Sequence, residues 1–337
     1  QSLVDGNREM YDWLRNGVPL ERIEPDGRRS VLRVAVIDFD GPNDLLAVQQ
    51  FTVHGQKLRR PDLVLFVNGL PLVVIELKNP ADPNADYEKA YNQIQTYKAD
   101  IPQLFAYNLL NVISDGTVAR YGSLSADLSR HSRWRLVGGE KAAKGMLELE
   151  SLMRGLMEPR TLLDFFRGFV AYGGSDGGAS FKIIAQWHQY HGVKKAVQRA
   201  VDALTHRKDG KGGVIWFTQG SGKSLLALFY VMALRERSEF ANPTVVLVTD
   251  RKDLDGQLFE TFADCRWSIR ATPMQANSRD DLREQLTAVE AGGVFFTTIN
   301  KFAPERGQTS VPVLCERSNV IVIADEAHRT QYGFRAD

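Results

Sequence analysis

The sequence predicts an α/β protein of two domains, with a mixed β-sheet in the first domain and a parallel β-sheet in the second. Its 337 residues are 43% hydrophobic, which is enough for two ordinary cores at about 150 residues per domain. Apolar runs separated by Asn-Gly and Asp-Gly turn signals fill residues 33–78 and predict strands. Beyond about residue 180, continuous apolar strands alternate with helical patterns, as in a parallel sheet covered on both faces.

Composition excludes several classes of protein. The 42 Lys and Arg residues nearly balance the 41 Asp and Glu residues, so bulk charge neither indicates nor excludes a protein that binds nucleic acid through one basic face. Cys265 and Cys315 lie far apart without partners at metal-ligand spacing, which argues against a disulfide scaffold or a zinc site. No apolar run reaches the roughly 20 residues that span a bilayer. We therefore expect a cytoplasmic protein with no membrane partner.

Three segments are predicted along the chain. The first is a domain over residues 1–140, which begins with a polar helix and continues with strands and a second helix at 84–101. Helical patterns over 141–179 end in the run GGSDGG, which predicts a helical linker with a flexible junction. The second domain covers 180–337 and alternates helices with apolar strands.

A glycine-rich loop between a predicted strand and a predicted helix is the strongest motif of the second domain. The predicted strand Val214–Phe217 is followed by Thr218, Gln219, Gly220, Ser221, Gly222, Lys223 and Ser224. In a P-loop the glycines let backbone N–H groups surround phosphate oxygens, while the lysine reaches the β- and γ-phosphates and the serine can ligate Mg²⁺. The strict motif has Gly where Phe217 stands, but strand, loop and helix together favour a nucleotide site over an empty turn.

An acidic pair follows the last apolar strand of the second domain. Residues 319–325 form this predicted strand, which ends in the run Asp-Glu-Ala-His. Carboxylates at this end of a strand lie where open α/β sheets bind their ligands. We predict that Asp325 holds Mg²⁺ and that Glu326 orients and deprotonates the attacking water. His328 is either a hydrogen-bonded turn histidine or a group that couples ATP hydrolysis to movement.

The segment 180–337 resembles the first RecA-like domain of superfamily 2 helicases and translocases of the DEAH type. The resemblance implies that Gln189 reads adenine and that Arg251, Thr297 and Thr298 contact the nucleic-acid backbone. The ordinary alternatives are an exposed helical glutamine, a solvated loop arginine and two strand-end threonines. Such motors also have a second RecA-like domain that supplies arginine fingers. No second P-loop-like domain follows, so we expect a fragment that binds ATP and Mg²⁺ but is by itself a weak ATPase.

Two carboxylates and a lysine stand at the ends of two successive strands of the first domain. Asp62 precedes one strand, and Glu76 and Lys78 end the next strand, projecting from the same face because the side-chain period is two. The turn Asn68-Gly69 between the strands can bring Asp62 alongside this pair. Charges at the end of an apolar strand cost packing free energy unless they are used or paired. We predict that Asp62 and Glu76 hold Mg²⁺ and that Lys78 orients a metal-bound water; the alternative is a surface salt bridge.

The spacing of these residues resembles the PD-(D/E)xK nuclease family, since Pro-Asp is followed fourteen residues later by Glu-x-Lys. Gln93 and Tyr97 share one face of the next predicted helix. They match the Q-x-x-x-Y companion motif of RecB-like and type I restriction nucleases, which implies a catalytic role for both. The alternative is an amphipathic helix with an aromatic stripe.

Four sequence segments, taken in their order along the chain, point to a more specific family. They are RRPDLVLFVNGLPLVVIELKNP, AYNQIQTYK, TQGSGKS and IADEAHRTQYGF. Together they closely resemble the restriction subunit (HsdR family) of bacterial and archaeal type I restriction-modification enzymes. The resemblance implies a type I site-specific deoxyribonuclease that binds methyltransferase and specificity subunits, translocates double-stranded DNA with ATP and cleaves it with Mg²⁺.

Two alternatives stay open at this point. One is a non-cleaving, ATP-gated DNA-binding or remodelling module. The other keeps both activities in a DNA-repair helicase-nuclease or a type III restriction system, although an N-terminal nuclease argues against type III.

Overall fold

The chain forms two compact units, residues 1–191 and residues 192–337. The computed structural model describes residues 2–81, 86–174, 178–249, 252–302 and 313–327, with backbone alone described for 252–255. The segment 141–179, which we predicted as a linker, is part of the first unit. Within the described ranges, no helix combines the length and the apolar character needed to cross a membrane.

The first unit is built around a five-stranded mixed sheet. Its elements are α1 (Leu3–Asn16), β1 (Val18–Ile23), β2 (Arg29–Val34), β3 (Leu45–Gln49), β4 (Leu63–Val67), β5 (Leu70–Leu77), α2 (Tyr87–Asp100), β6 (Leu110–Ser114), β7 (Ala119–Gly122), β8 (Leu136–Val137), β9 (Glu140–Lys141), α3 (Glu148–Arg154), α4 (Pro159–Gly168), β10 (Val170–Gly173) and β11 (Phe181–Ile184). The strand order is β3-β4-β5-β6-β7, and only β5 and β6 run parallel. Strands β1–β2, β8–β9 and β10–β11 form separate antiparallel pairs. The predicted mixed sheet is confirmed. The apolar run 33–39, within the segment where we predicted strands, is a strand only at its start, because β2 ends at Val34 and residues 35–39 lie outside the strands.

The β4–β5 hairpin forms through the turn that the sequence predicts. Asn68 and Gly69 both adopt positive φ, at 50° and 79°, as a tight hairpin turn requires. Strand β5 lies in the middle of the sheet, and its residues from Leu72 to Glu76 are buried. A strand covered on both faces consists of an almost continuous apolar run, which is why this segment is so rich in Val, Leu and Ile.

Helices cover this sheet on both faces. On one face, α2 begins at its N-cap Asp86, whose side chain accepts from the Lys89 N–H at 2.8 Å. Its apolar residues pack into one core cluster with side chains of β4, β5 and β6, which includes Val64, Val74, Ala90, Ile94, Tyr97 and Ile113. On the other face, Tyr121 of β7 makes an edge-to-face contact with Phe165 of α4. The predicted linker helix therefore belongs to the core of the first unit.

The second unit contains a four-stranded parallel sheet in the order β13-β14-β12-β15. Its elements are the end of α5 (Trp187–Thr205), α6 (Lys223–Arg235), β12 (Thr244–Thr249), α7 (Lys252–Asp264), α8 (Arg266–Ile269), β13 (Met274–Gln275), α9 (Arg279–Thr287), β14 (Val294–Thr298) and β15 (Val320–Ala324). Val246, Val248 and Phe295 pack with Leu282 and Leu286 in its core. The predicted parallel sheet is confirmed.

The strand predicted at Val214–Phe217 is not formed. These residues have no ladder partner among the described strands, and Val214 and Trp216 are 91% and 87% exposed. Apolar β-branched composition favours a strand only where a neighbouring strand accepts its backbone hydrogen bonds. The glycine-rich loop is therefore preceded by irregular backbone, while the helix predicted after it is present as α6.

We expect replacement of Gly69 with Ala to destabilise the first unit by about 1 kcal/mol, because an L-residue at positive φ is strained even where its Cβ has open space. Gly168→Ala is the matched control. Gly168 lies at ordinary helical φ in α4 and its Cβ would also meet no atom, so the same change should stabilise slightly. Urea unfolding measures both variants, and an equal effect of the two substitutions would contradict this account of the turn.

Candidate active sites

The hairpin brings Asp62, Glu76 and Lys78 to one place. The β4–β5 register pairs Leu63 with Ile75, so Asp62 lies opposite the end of β5. Asp62 Oδ2 accepts from the N–H of Leu77 at 2.9 Å, between the other two side chains of the motif. Lys78 Nζ donates to Glu76 Oε1 at 2.7 Å. The three side chains that the motif predicts therefore form one cluster, which we call the carboxylate–lysine site.

Burial makes this cluster electrostatically unusual. Glu76 is only 3% exposed, whereas the side chain of Lys78 keeps 24% of its surface. Burial raises the pKa of Glu76, and the negative charge of Asp62 raises it further, against the opposing effect of the hydrogen bonds from Lys78 and Tyr97. A buried carboxylate beside a second carboxylate is stabilised by a positive charge. The two carboxylates therefore suit a positively charged partner, which Lys78 provides here and which a divalent cation could also provide.

Helix α2 supplies the companion residues of the site. Tyr97 Oη donates to Glu76 Oε2 at 3.1 Å, so each oxygen of the Glu76 carboxylate has its own donor. Burial and the neighbouring Glu76 charge raise the pKa of Tyr97, which keeps this phenol protonated as a donor. Gln93 lies one turn earlier on α2, and its side chain hydrogen bonds Tyr97. Of the two predicted residues, Tyr97 therefore contacts Glu76 directly, and Gln93 contacts Tyr97.

The structure adds two groups to this site that the motif did not predict. One is the Leu77 N–H, which holds Asp62 from the backbone of β5. The other is Gln50, directly after β3, whose Nε2 donates to Asp62 Oδ1 at 2.8 Å. The sequence could not have identified Gln50 as a site residue, because an amide side chain at the end of an apolar run is common in loops. Its place at the site follows from the pairing of β3 with β4.

A basic loop borders the carboxylate–lysine site. Residues 51–61 contain no acidic side chain, and Lys57 and Arg60 are exposed. Arg59 is instead structural, because its Nε donates to Asp100 Oδ2 at 2.7 Å at the end of α2. The Arg60 carbonyl oxygen lies 3.4 Å from Tyr97 Oη, whose one proton is donated to Glu76, so the loop ends against the site.

The metal capacity of the site is limited. Across the part of the chain that is described, no three His, Cys, Asp or Glu side chains are grouped to hold a metal ion. Asp62 and Glu76 are a pair, and Mg²⁺ is commonly bound by one or two carboxylates together with water and substrate phosphate. The residues present therefore fit a Mg²⁺ ion that is completed by its substrate.

The second cluster lies in the other unit, where the glycine-rich loop meets the acidic pair. Gly222 has φ 78° and ψ 43° and caps the N-terminus of α6, and Gly220 also has φ 78°. Lys223 Nζ donates to Glu326 Oε1 at 2.5 Å, although these residues are 103 positions apart. Asp325 Oδ1 accepts from the Glu326 N–H at 2.9 Å. The lysine and the acidic pair thus converge at one end of the parallel sheet.

The other residues of the glycine-rich loop lie next to Lys223 in the sequence. Thr218 and Gln219 are exposed, and the Thr218 carbonyl accepts from both the N–H and the hydroxyl of Ser221. Ser224 is half-buried in the first turn of α6. A helix N-terminus with glycines at positive φ is a ready anion-binding site, because its N–H groups have no helical partners.

Of the other residues predicted to contact nucleotide or DNA, three lie among the described residues and two lie outside them. Gln189 is 1% exposed at the start of α5 and accepts from the Gln186 N–H at 2.8 Å, so the alternative of an exposed helical glutamine is wrong. Thr297 and Thr298 end β14 at 0% and 5% exposure, and their contact with DNA stays a prediction. Arg251 and His328 lie outside the described residues.

Comparison with known proteins matches each unit separately. Residues 1–130 match the family model described as the type I restriction enzyme R protein N terminus. Residues 188–337 match the family model described as SWI2/SNF2 ATPase. The two models together cover both clusters.

Curated relatives match nearly the whole chain. The type I restriction enzyme HindI endonuclease subunit of Haemophilus influenzae is 48% identical over 98% of this chain and 32% of its own length. The putative type I restriction enzyme MjaIXP endonuclease subunit of Methanocaldococcus jannaschii is 34% identical over 96% of this chain and 32% of its own length. The type I restriction enzyme SauCOLORF180P endonuclease subunit of Staphylococcus aureus is 27% identical over 98% and 34%, respectively.

The chain therefore spans about a third of the length of these relatives. The R-protein model covers the carboxylate–lysine site, the ATPase model covers the glycine-rich loop, and the relatives contain both regions in the same order. The chain belongs to the family of type I restriction enzyme endonuclease (R) subunits.

Proposed function

We propose that the whole protein is the nuclease and motor subunit of a type I restriction-modification enzyme. In this proposal it assembles with methyltransferase and specificity subunits, moves double-stranded DNA with ATP and cleaves it with Mg²⁺. The observation that carries the proposal is the convergence of Asp62, Glu76, Lys78 and Tyr97 in a chain whose relatives are named endonuclease subunits. The first unit is then a PD-(D/E)xK nuclease domain, and the second is the first RecA-like motor domain.

The nuclease chemistry follows from the geometry of the carboxylate–lysine site. Asp62 and Glu76 would hold Mg²⁺, which when bound lowers the pKa of its water and stabilises charge on the phosphodiester. Tyr97 keeps the Glu76 carboxylate in place by donating to one of its oxygens. Lys78 is partly exposed beside Glu76, so its ammonium can turn toward a phosphate oxygen and stabilise the negative charge that develops in the transition state.

The nucleotide site rests on the Lys223–Glu326 contact. The ion pair satisfies both charges. A nucleotide held by residues 218–224 would draw Lys223 to its β- and γ-phosphates and release Glu326 to accept a proton from water. Ser224 and Asp325 are the residues that would hold its Mg²⁺. Weak hydrolysis by this chain alone stays a prediction.

The basic loop is the proposed approach of DNA to the carboxylate–lysine site. Lys57 and Arg60 are exposed on a segment that carries no negative side chain and ends beside Asp62. Lys and Arg that face a phosphate backbone release counterions on binding, which favours association without reading sequence. We propose that these two residues position the duplex backbone over the carboxylate–lysine site.

One observation favours the alternative of a non-cleaving, ATP-gated module. The Lys78–Glu76 pair satisfies both charges, as a purely structural salt bridge would. The alternative predicts no Mg²⁺-dependent nicking of supercoiled plasmid by the assembled enzyme. The proposed function predicts nicking with Mg²⁺ and ATP and none with EDTA.

Two lysine substitutions should separate the two activities of the full-length enzyme assembled with its partner subunits. Lys78→Ala is expected to lower DNA cleavage by about 100-fold or more, with ATP hydrolysis retained, because it removes only a charge beside the phosphodiester.

Lys223→Ala is expected to abolish ATP binding, measured with a fluorescent nucleotide analogue.

Lys141→Ala and Lys211→Ala are the matched controls, since both lysines are exposed and lie outside the two clusters. Cleavage by the Lys78→Ala enzyme at the wild-type rate would contradict the nuclease site. Normal ATP affinity after Lys223→Ala would contradict the nucleotide site.

Glu76→Gln should raise folding stability while it abolishes cleavage. Because folding raises the pKa of Glu76 above 4.5, its contribution to stability is fully present below that pH and is lost as the pH rises through the folded pKa. The neutral amide avoids this loss, so the stability advantage of the variant should grow between pH 4.5 and neutrality. Urea unfolding across this range measures the effect, with the exposed Glu140→Gln as control. A pH-independent difference between wild type and variant would contradict the burial argument.

Lys57→Ala and Arg60→Ala should each weaken duplex binding by this chain and lower the slope of log affinity against log salt concentration by about 1. Fluorescence anisotropy with a labelled duplex at several salt concentrations gives the slope. Neither variant should change the melting temperature, whereas Arg59→Ala should lower it by removing the pair with Asp100. An unchanged slope in both variants would show that DNA does not approach along this loop.

A further inference from the structure

Gln50 has a strained backbone at the point where β3 ends. Its φ is 52°, in the left-handed region that residues with a Cβ seldom adopt, and Gln lacks the short side chain that makes Asn tolerant of it. Such a conformation persists only where surrounding interactions over-determine it, and it is often found at functional sites.

The interactions that hold Gln50 both go to Asp62. Its N–H donates to the Asp62 carbonyl at 3.0 Å, and its Nε2 donates to Asp62 Oδ1 at 2.8 Å. The opposite carboxylate oxygen, Oδ2, accepts from the Leu77 N–H at 2.9 Å. The Asp62 carboxylate is therefore held by one donor on each oxygen, from the two strands on either side of its own.

This double restraint is not needed to satisfy a buried group. Gln50 is exposed and Asp62 is only half-buried, so water could replace the side-chain hydrogen bond at little cost to folding. A neutral amide also leaves the charge of Asp62 intact, and each carboxylate oxygen keeps a lone pair beyond the one used. A Lys or Arg in this position would instead compete with a bound cation. The contact thus suits orientation of a carboxylate that binds a metal ion.

We propose that Gln50 is a positioning residue that orients the Asp62 carboxylate for the divalent cation of the nuclease site. The inference rests on the proposed function, since it requires Asp62 to be a metal ligand. The backbone strain at Gln50 is retained because a residue with a side-chain amide is required there. Glycine would fit the backbone better but has no amide.

Two substitutions separate positioning from structure. Gln50→Ala and Gln50→Gly both remove the amide, but only glycine relieves the strain at positive φ. Both variants should bind Mn²⁺ at this site about 10- to 100-fold more weakly than wild type. Gln50→Gly should nevertheless melt at a higher temperature than Gln50→Ala. In the assembled enzyme, raising the Mg²⁺ concentration should partly restore cleavage by either variant.

Isothermal titration calorimetry of this chain with Mn²⁺ measures the affinity, and the signal counted is the part that Asp62→Asn removes. Gln49→Ala is the matched control, because Gln49 is the last residue of β3, directly before Gln50, and its replacement should leave the affinity unchanged. If the wild type has no Mn²⁺ binding that depends on Asp62, the proposed nuclease site itself fails.

If such binding exists but is unchanged in Gln50→Gly, only the role of Gln50 is overturned. Affinity that is low in Gln50→Ala and restored in Gln50→Gly would likewise overturn it, since affinity would then follow backbone strain and not the amide.

Discussion

The pairing register of β4 with β5 is the constraint on which the chemistry of the first unit depends. It places Asp62 beside the Leu77 N–H, so that a carboxylate from one strand contacts the backbone between Glu76 and Lys78 on the next. A shift by one residue would move Glu76 to the opposite face of the sheet, away from α2. The tight turn at Asn68 and the burial of β5 on both faces oppose such a shift, because it would also misplace every apolar side chain of the strand.

Both units place a lysine and a glutamate in contact where their strands end. In the first unit Lys78 pairs with Glu76 at 2.7 Å, and in the second Lys223 pairs with Glu326 at 2.5 Å. Each pair compensates a carboxylate that is mostly withdrawn from water, at side-chain exposures of 4% and 18%. An unpaired charge in such a position would be costly, and a ligand that carries both phosphate and cation can satisfy the two partners separately.

The sequence anticipated those elements whose signals are local. The Asn68-Gly69 turn, the amphipathic helix α2 and the parallel strands β12, β14 and β15 follow from turn chemistry and hydrophobic periodicity. The strand predicted at Val214–Phe217 is not formed, because its composition is right but none of the described strands pairs with it. The segment 141–179 was predicted as a linker because its glycine-rich end is local, whereas the packing of Phe165 on Tyr121 is not.

By itself, the sequence determined the family and predicted the charged residues that form the two clusters, because their spacing reflects strand period and turn type. Only the tertiary structure decided how those residues are held. The donors to Asp62 come from Gln50 and Leu77, twelve and fifteen residues away in the chain, and the burial that raises the pKa of Glu76 requires α2 and the neighbouring strands to be in place. Hydrogen bonds and desolvation of this kind depend on distances in space, which local sequence patterns do not encode.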